Sequence, residues 1–551
     1  MKAIEEVLHG WADYEKIREF LKKEKGIIQI SGCVDAGKAH MVYGVGNGFG
    51  KKIIATFSEQ KARELYEDCR FFDGNTVYYP AKDILFYQSD LRGNQLTKER
   101  MNAIKVLLEE EQMTLVTTFD GLMNRLMPLE KLTQFILRLA PGDELILTEF
   151  TKQLVAMGYE KNYQAEAGGQ FAVRGGIIDI YPLTEENPYR IELWGDEIDS
   201  IRSFDAESQR SIENLEEIRI YPAAELIPDE RQRTAALERI EKDAARAINQ
   251  FQKEGQTEAA AAVRQLLSDA KDALLELAEP LSMEGFIDYF TPRTESFPDY
   301  FDPKRTLIFL DEPNRLLERA DAVELEFRES MEHRLEKGYV LPGQTEAIYE
   351  CRKILARMGN LRTVLLSTLS YNSAHIAVKS KYSMMASSMH TYRGDFQLLV
   401  KELTGWKNSG YRLILVCRSE TRGKRLVKDL AEYDLLAFYS EDRDRVPAPG
   451  EIMIIHGSLH KGIQYPMIKF AIIAESDMFG EDKKKRRKRR QPASEGERIR
   501  SFKELSVGDY VVHEGHGVGI YRGIENVEVD GVAKDYIKIE YGGGGSLYIL
   551  A

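Results

Sequence analysis

Short apolar runs, each followed by a segment of helical periodicity, dominate the first ~140 residues. Three such runs cover residues 27–30, 52–57 and 114–118, and a fourth covers residues 305–310. Continuous apolar runs that alternate with helices are typical of βαβ units around a parallel sheet. We therefore predict one α/β domain built from two separated parts, residues 1–139 and 225–345.

The pattern between and after these parts is different. Residues 140–224 alternate apolar and polar positions and are punctuated by Gly, Pro and Asn/Asp, which predicts a β-rich insert with one helix near residues 148–157. The stretch 229–279 has apolar residues at helical spacing, and Gly255 interrupts it, so we predict a helical hairpin there. Residues 350–477 predict a second, small α/β domain, and residues 498–551 predict an all-β domain.

Composition narrows the class of protein. The chain has 551 residues, a net charge of −13 and 43% hydrophobic residues, which excludes a wholly disordered protein and favours several domains. No run approaches the ~18 apolar residues of a membrane helix, and the first residues do not form a signal peptide. We expect a soluble, cytoplasmic protein with no membrane partner.

Metal and nucleic-acid signals are weak. The four cysteines are scattered without a CxxC pair, and the pairs His456/His460 and His513/His516 have no carboxylate or cysteine at ligand spacing, so we predict no metal site. The acidic balance argues against a surface that coats nucleic acid. The run KKKRRKRR within residues 478–497 breaks that balance, and we interpret it as a solvated basic linker that could touch phosphates.

The strongest chemical motif is SGCVDAGKAH, which follows the first apolar run. Gly32, Gly37 and Lys38 stand where a phosphate-binding loop needs glycines and a lysine. The next position should carry a hydroxyl for magnesium, but it is Ala39. We therefore expect a degenerate P-loop in a RecA-like fold.

A second half-motif lies far along the chain. Asp311 and Glu312 end the apolar run at 305–310, as the magnesium-holding acids of nucleotide hydrolases do. No segment supplies the arginines that hydrolysis also needs. We predict a nucleotide fold that has lost its chemistry, with no catalytic residues and no cofactor. The enzymatic alternative is a P-loop ATPase or UvrB-type helicase component that uses Lys38, Asp311 and Glu312.

Three residues of the β-rich insert are candidates for an interface. Arg190 and Trp194 are four apart on one predicted strand and so share a face, and Arg174 lies on a neighbouring strand. Arg and Trp on an exposed face are favoured anchors of protein–protein contacts. The alternative is that Trp194 packs on the helix while Arg190 pairs with Glu192 or Asp196. The pattern leaves both open.

Taken together, these segments resemble the N-terminal portion of the bacterial transcription-repair coupling factors, the Mfd family. The resemblance runs in order through SGCVDAGKAH, FAVRGGIIDIYP…PYRIELWGDEIDSIRSFD, FLDEPNRL, AESDMFG, the basic linker and VGDYVVHEGHGVGIYRGI. The last segment is similar to the RNA-polymerase-interacting domain shared with CarD-type regulators, and the first ~345 residues are similar to UvrB.

The resemblance implies an adaptor that recruits UvrA to RNA polymerase stalled at DNA damage. UvrA binding would fall on Arg174, Arg190 and Trp194, with Trp in place of the commoner phenylalanine. A Tudor-like barrel would bind the polymerase β subunit through Val511, Val512, His513 and Glu514. In the family, ATP and magnesium serve a separate C-terminal DNA-translocating motor, so contact of this chain with DNA would be weak or depend on that motor.

Two departures from the family pattern bear on this interpretation. Lys38 restores part of a phosphate loop that most relatives have lost, which keeps weak nucleotide binding open. The chain also stops at Ala551 directly after a predicted strand, which suggests a fragment that lacks the motor and the end of its last domain. A further alternative is a CarD-like transcription regulator in which the C-terminal domain is the active part.

Overall fold

The computed structural model describes residues 2–82, 93–276, 283–291, 293–370, 376–480, 508–513, 517–529, 532–540 and 546–550. The described residues form two compact units, one of residues up to 480 and one of residues from 508 on. The basic run KKKRRKRR, Glu514 and His516 lie outside the described residues.

The first α/β domain begins with four strands that alternate with helices. Three of them coincide with the predicted apolar runs, and the fourth, Thr76–Tyr79, was not predicted. Its elements up to residue 136 are α1 (Lys2–Glu6), α2 (Tyr14–Lys23), β1 (Gly26–Ser31), α3 (Asp35–Gly46), β2 (Lys51–Thr56), α4 (Glu59–Phe72), β3 (Thr76–Tyr79), α5 (Gly93–Glu109), β4 (Met113–Thr118), α6 (Phe119–Met123) and α7 (Leu129–Thr133).

The β-rich insert follows directly. Its elements are β5 (Leu137–Leu139), α8 (Leu147–Ala156), β6 (Glu160–Lys161), β7 (Gln170–Arg174), β8 (Ile177–Tyr181), β9 (Tyr189–Trp194), β10 (Glu197–Phe204), β11 (Ser211–Asn214) and β12 (Ile218–Ile220). Six strands form one sheet in the order β11-β10-β9-β8-β7-β6, while β5 and β12 pair with each other. The chain therefore enters and leaves the insert side by side.

The chain then returns to the first domain through a helical hairpin. These elements are α9 (Glu230–Lys253), α10 (Thr257–Glu276), α11 (Ile287–Phe290), β13 (Thr306–Asp311), α12 (Pro313–Glu336), α13 (Cys351–Gly359), β14 (Arg362–Ser367) and β15 (Val378–Ser383). Asp229 and Gln232 form a reciprocal cap at the start of α9. Gly255, at φ +76°, makes the turn between α9 and α10 that the sequence predicted.

All seven strands of the first sheet are parallel, in the order β15-β1-β14-β13-β2-β4-β3. Strands β4 and β13 are buried along their whole length, as is typical of inner strands of a parallel sheet that is covered on both faces. The prediction of a multidomain α/β chain with a parallel sheet is confirmed.

The second α/β part is smaller. Its elements are β16 (Ser387–Ser388), α14 (Phe396–Asn408), β17 (Arg412–Cys417), α15 (Glu420–Ala431), β18 (Phe438–Tyr439), β19 (Ile452–His456), β20 (Ile463–Tyr465), β21 (Phe470–Ala474) and α16 (Glu475–Phe479). They surround a six-stranded sheet in the order β16-β20-β21-β17-β19-β18.

The expected start of this second domain at residue 350 is wrong. Strand β14 lies between β1 and β13 and completes the first sheet, and β15 forms its edge. Because β14 is an apolar strand, the gap between two other buried strands is where it loses most water-exposed area. The strands of the second sheet begin only at β16.

The unit from residue 508 on contains β22 (Tyr510–His513), β23 (Gly517–Val529), β24 (Val532–Glu540) and β25 (Ser546–Leu550). Each strand pairs antiparallel with the next, so β22 and β25 are the outer strands of the described sheet. The all-β prediction for this region is confirmed. Across the described residues, no helix is long and apolar enough to cross a membrane.

The two α/β parts of the first unit share one hydrophobic core, in which His40 is buried. Ile28 and Phe309 of the first sheet belong to the same buried cluster as Ile455 and Phe470 of the second. One ring nitrogen of His40 bonds the Tyr465 hydroxyl at 2.9 Å, and the other bonds the Ile4 carbonyl at 2.8 Å. Burial lowers the pKa of His40 to about 4, so the neutral ring is part of the packed junction.

We expect His40 to make folding stability depend on pH between about 6.5 and 4. In that window the unfolded chain takes up a proton that the folded chain does not, so stability falls as pH falls, by about 1.4 kcal/mol per pH unit. Thermal unfolding at pH 6.0, 5.0 and 4.5 should show this slope in the wild type and a flatter one in His40→Gln.

The exposed His390 offers a matched control, since His390→Gln leaves the buried ring in place. His460 works in the opposite direction, because its hydrogen bond to Asp68 raises its pKa and stabilises the fold at low pH. An unchanged slope in His40→Gln would contradict the assignment.

Candidate functional site

The predicted phosphate-loop residues and the predicted acid pair meet at the carboxyl ends of β1 and β13. The side chain of Lys38 is completely buried there. Its ammonium lies 2.5 Å from Asp311 Oδ1, 2.9 Å from Glu312 Oε1 and 2.7 Å from Asp35 Oδ1. Burial alone would lower the pKa of Lys38, but these carboxylates, Asp311 foremost, raise it. Lys38 is therefore a charged internal partner of the acids.

Glu312 is held in an unusual backbone conformation at this site. Its φ of +48° lies in the left-handed region, which is uncommon for a residue with a side chain. Its carboxylate also accepts hydrogen bonds from the backbone N–H of Thr368 at 2.9 Å and from the Thr368 hydroxyl at 2.8 Å. These contacts fix the carboxylate against Lys38.

The backbone groups of the loop are also occupied. The N–H groups of Gly32, Cys33 and Gly37 donate to the carbonyls of Thr368, Ser367 and Val34, at 3.2, 3.1 and 2.8 Å. In a functional phosphate loop, N–H groups of this kind cradle the phosphates. In this chain, the three N–H groups instead donate to backbone carbonyls of the protein itself.

Neighbouring segments cover the two glycines. A Cβ on Gly32, which has φ +76°, would lie 2.3 Å from the carbonyl oxygen of Met384. A Cβ on Gly37 would lie 2.3 Å from the Ile463 side chain of the second sheet. Because glycine has no side chain, other parts of the protein pack closely on the loop here. In a phosphate-binding loop, the same lack of a side chain lets a phosphate approach the backbone.

A divalent cation would find its ligands here only by displacing Lys38. Among the described residues, Asp35, Asp311 and Glu312 form a group whose ligand atoms lie within 4.8 Å of one another. The Lys38 ammonium contacts all three carboxylates, and Ala39 supplies no oxygen. The Lys38 ammonium thus already supplies positive charge to these carboxylates.

We predict that Lys38→Met lowers the free energy of unfolding by about 3–5 kcal/mol, because it leaves Asp311 buried without its counter-charge. Differential scanning calorimetry of the whole chain would measure the loss as a lower melting temperature. The double variant Lys38→Met/Asp311→Asn should recover part of it, since both members of the pair are then uncharged.

Lys23→Met is the control, because Lys23 and its partner Glu19 are both exposed, and exposed pairs contribute about 1 kcal/mol or less. Equal melting temperatures for Lys38→Met and the wild type would show that the Lys38 cluster does not stabilise the fold.

In the β-rich insert, the two predicted arginines converge on one acid that the sequence analysis missed. Asp179 on β8 is buried, and its carboxylate accepts from Arg190 Nε at 2.6 Å and from Arg190 Nη2 at 2.9 Å. Arg174 Nη2 donates to the same carboxylate at 2.5 Å. The strand register places Arg190 directly opposite Asp179. The sequence contains both Asp179 and Arg190, but only the pairing of β8 with β9 shows that the two residues lie opposite each other.

Arg190 and Arg174 differ in how much they offer to a partner. The Arg190 guanidinium is 15% exposed, lies 4.4 Å from the centre of the Phe204 ring and also bonds Gln209. The Arg174 side chain is 40% exposed. The alternative that Arg190 pairs with Glu192 or Asp196 is wrong in its partner, because Arg190 pairs with Asp179 while Glu192 pairs with Arg202.

Trp194 ends β9 at the turn into β10 and is 84% exposed. The alternative that it packs on the helix is therefore wrong. The N–H of Leu193 donates to the carbonyl of Gly176 at 2.8 Å, so the β7–β8 turn that follows Arg174 lies beside Trp194. We call this part of the insert, formed by Arg174, Asp179, Arg190 and Trp194, the docking end.

The residues proposed to bind polymerase are described only in part. Val511, Val512 and His513 lie on the outer strand β22, opposite Gly519, Val518 and Gly517. Val511 is buried, so its side chain packs inside this unit. Glu514 lies outside the described residues.

Comparisons with known proteins match both regions. Residues 137–226 match the UvrB interaction domain, and residues 505–550 match the CarD-like/TRCF RID domain. The chain is 31% identical to a transcription-repair-coupling factor of Bacillus subtilis over 94% of its own length and 44% of that protein. It is 29% identical to those of Staphylococcus haemolyticus and Staphylococcus aureus over 90% of its length and 42% of theirs. The chain thus spans less than half the length of these relatives, and over that span it is similar to transcription-repair-coupling factors.

Proposed function

We propose that this chain is the adaptor part of a transcription-repair coupling factor, which recruits UvrA to stalled RNA polymerase. The observation that carries the proposal is the exposed Trp194, which lies four residues after Arg190 on β9, in the domain that matches the UvrB interaction domain. An aromatic side chain held on a rigid, charge-braced strand is the typical anchor of a specific protein contact.

Within the docking end we assign different tasks to the three predicted residues. Trp194 would enter a recess of UvrA, and Arg174, which is only partly satisfied by Asp179, would donate to a UvrA carboxylate. Arg190 would help to hold the docking end in shape, because its charge already pairs with Asp179 inside the insert. Asp179 thus positions both arginines.

We further propose that the C-terminal sheet belongs to a Tudor-like domain that binds the polymerase β subunit through its outer strand β22. An outer strand has unpaired backbone groups that can extend the sheet of a partner. Because the Val511 side chain is buried, its share of such contact would come from the backbone. The match to the CarD-like/TRCF RID domain supports this assignment.

The first α/β domain, in this proposal, is a scaffold without nucleotide chemistry and without a cofactor. A nucleotide would have to displace Lys38 from three carboxylates and free the N–H groups of Gly32, Cys33 and Gly37. The motor chemistry of the family, with its ATP, magnesium and DNA, would reside elsewhere in the complete protein.

The adaptor proposal predicts that the chain bridges its two partners. Purified UvrA should be retained on immobilised RNA polymerase only when the chain is present. Trp194→Ala should weaken UvrA binding at least about 30-fold, the effect of losing a hot-spot aromatic, while polymerase binding is unchanged. Titration calorimetry with UvrA alone would give the affinity.

Tyr339→Ala is the control for this test, because Tyr339 is an aromatic residue that is 61% exposed outside the insert. A folded wild-type chain that binds polymerase but not UvrA would overturn the adaptor proposal and favour a CarD-like regulator.

The different tasks of the arginines give a second test. Arg190→Ala should destabilise the insert by about 3 kcal/mol, because it breaks a buried pair and leaves Asp179 with one partner. Arg174→Ala should cost about 1 kcal/mol or less in stability yet weaken UvrA binding, since this side chain is 40% exposed. Melting temperatures and UvrA affinities of both variants would be compared, and equal stability losses would contradict the assignment.

A further inference from the structure

We propose that Ile146 is a second apolar anchor of the docking end and binds the same partner as Trp194. This inference rests on the proposed function, because it takes UvrA as the occupant of the surface. Ile146 directly precedes α8 and is 52% exposed. No pattern in the sequence separates it from the ordinary first residues of a helix.

Backbone contacts bring Ile146 next to Trp194. The N–H of Leu145 donates to the carbonyl of Asp196 at 2.6 Å, and the N–H of Ile198 donates to the carbonyl of Asp143 at 2.9 Å. Glu144 and Glu197 form an antiparallel bridge between these segments. Ile146 directly follows Leu145, and Asp196 is two residues after Trp194, so the contact between Leu145 and Asp196 places the backbone of Ile146 near the turn that follows Trp194.

Isoleucine is an unfavourable residue for this position in the backbone. Residue 146 is the N-cap of α8, with an extended backbone and no side-chain hydrogen bond to the helix. Ser, Thr, Asp and Asn are favoured at N-caps because their oxygens accept from the first free N–H groups, whereas Ile is among the poorest residues there. An exposed apolar residue at a position that favours a polar one departs from local structural preference, and such departures concentrate at functional sites.

The surroundings of Ile146 define the chemistry of the partner. The β7–β8 turn that follows Arg174 bonds to β9 beside Trp194, and the segment that precedes Ile146 bonds to the start of β10. The proposal therefore places a cation, an indole and a branched aliphatic group on one surface. Glu144 and Glu197 are exposed beside Ile146. The matching UvrA surface would have an apolar recess with a carboxylate at the Arg174 side and a basic group at the Ile146 side.

Two substitutions of Ile146 separate binding from folding. Ile146→Ala should weaken UvrA binding about fivefold to tenfold, as expected for an apolar residue beside a hot spot. Ile146→Asp should weaken it more, because a charge would enter the apolar recess. The same aspartate supplies the missing N-cap oxygen, so the variant should melt at or above the wild-type temperature. Lost affinity in Ile146→Asp can then not result from unfolding.

Ile212 provides a closely matched control. It is the same residue type, 53% exposed, and lies on β11 in the same sheet. Its neighbours Ser211 and Glu213 pair with Phe204 and Ser203, at the end of β10 far from Trp194. Ile212→Ala should change UvrA affinity less than twofold.

The possible results distinguish this inference from the proposed function. Weaker UvrA binding in both Ile146 variants, with Ile212→Ala unchanged, would support it. Wild-type affinity in the Ile146 variants while Trp194→Ala loses binding would overturn the inference and leave the adaptor proposal intact. Absence of UvrA binding by the folded wild-type chain would overturn both.

Discussion

The buried ammonium of Lys38 is the interaction on which the first α/β domain depends most. It joins α3, near the start of the chain, to Asp311 and Glu312, which the chain reaches only after the whole β-rich insert and the helical hairpin. A buried ion pair becomes strongly destabilising when one member is lost, so the contact makes the two separated parts of the domain interdependent. The same contact gives Asp311 and Glu312 a positively charged partner inside the protein, at the carboxyl edge of the sheet.

The insert is tied to this scaffold through the polar face of α5. Arg100 is completely buried and binds both carboxylate oxygens of Glu225, at the point where the chain leaves the insert. Burial alone would raise the pKa of Glu225, but Arg100 and Lys82 lower it to about 2, so the pair stays charged. Lys105 on the same helix binds Glu185 of the insert at 2.6 Å. These ion pairs therefore fix the insert against α5, so the exposed residues of the docking end belong to a firmly attached domain.

The docking end, the proposed binding surface, departs from the usual preferences for burying large apolar residues and for placing polar residues at helix N-caps. Trp194 is exposed and Ile146 occupies a helix N-cap, whereas the arginines that seemed available for a partner are partly used by Asp179. The resemblance identified Arg174, Arg190 and Trp194 from their positions in a motif. It could not separate Arg190, which braces the surface, from Trp194, which protrudes from it, because that difference depends on the side chain across the neighbouring strand.

The sequence by itself determined the local elements: the buried strands, the helical hairpin broken at Gly255 and the alternating strands of the insert, because periodicity and turn residues act over a few neighbouring positions. It also contained the half-motifs around Lys38 and Asp311 and the resemblance that led to the family. Only the tertiary structure decided that β14 and β15 complete the first sheet, that Lys38 contacts Asp311 and Glu312, and that the segment before α8 pairs with the start of β10. These outcomes depend on pairings between residues far apart in the chain, whose free energy comes from shared burial and charge neutralisation that no local pattern records.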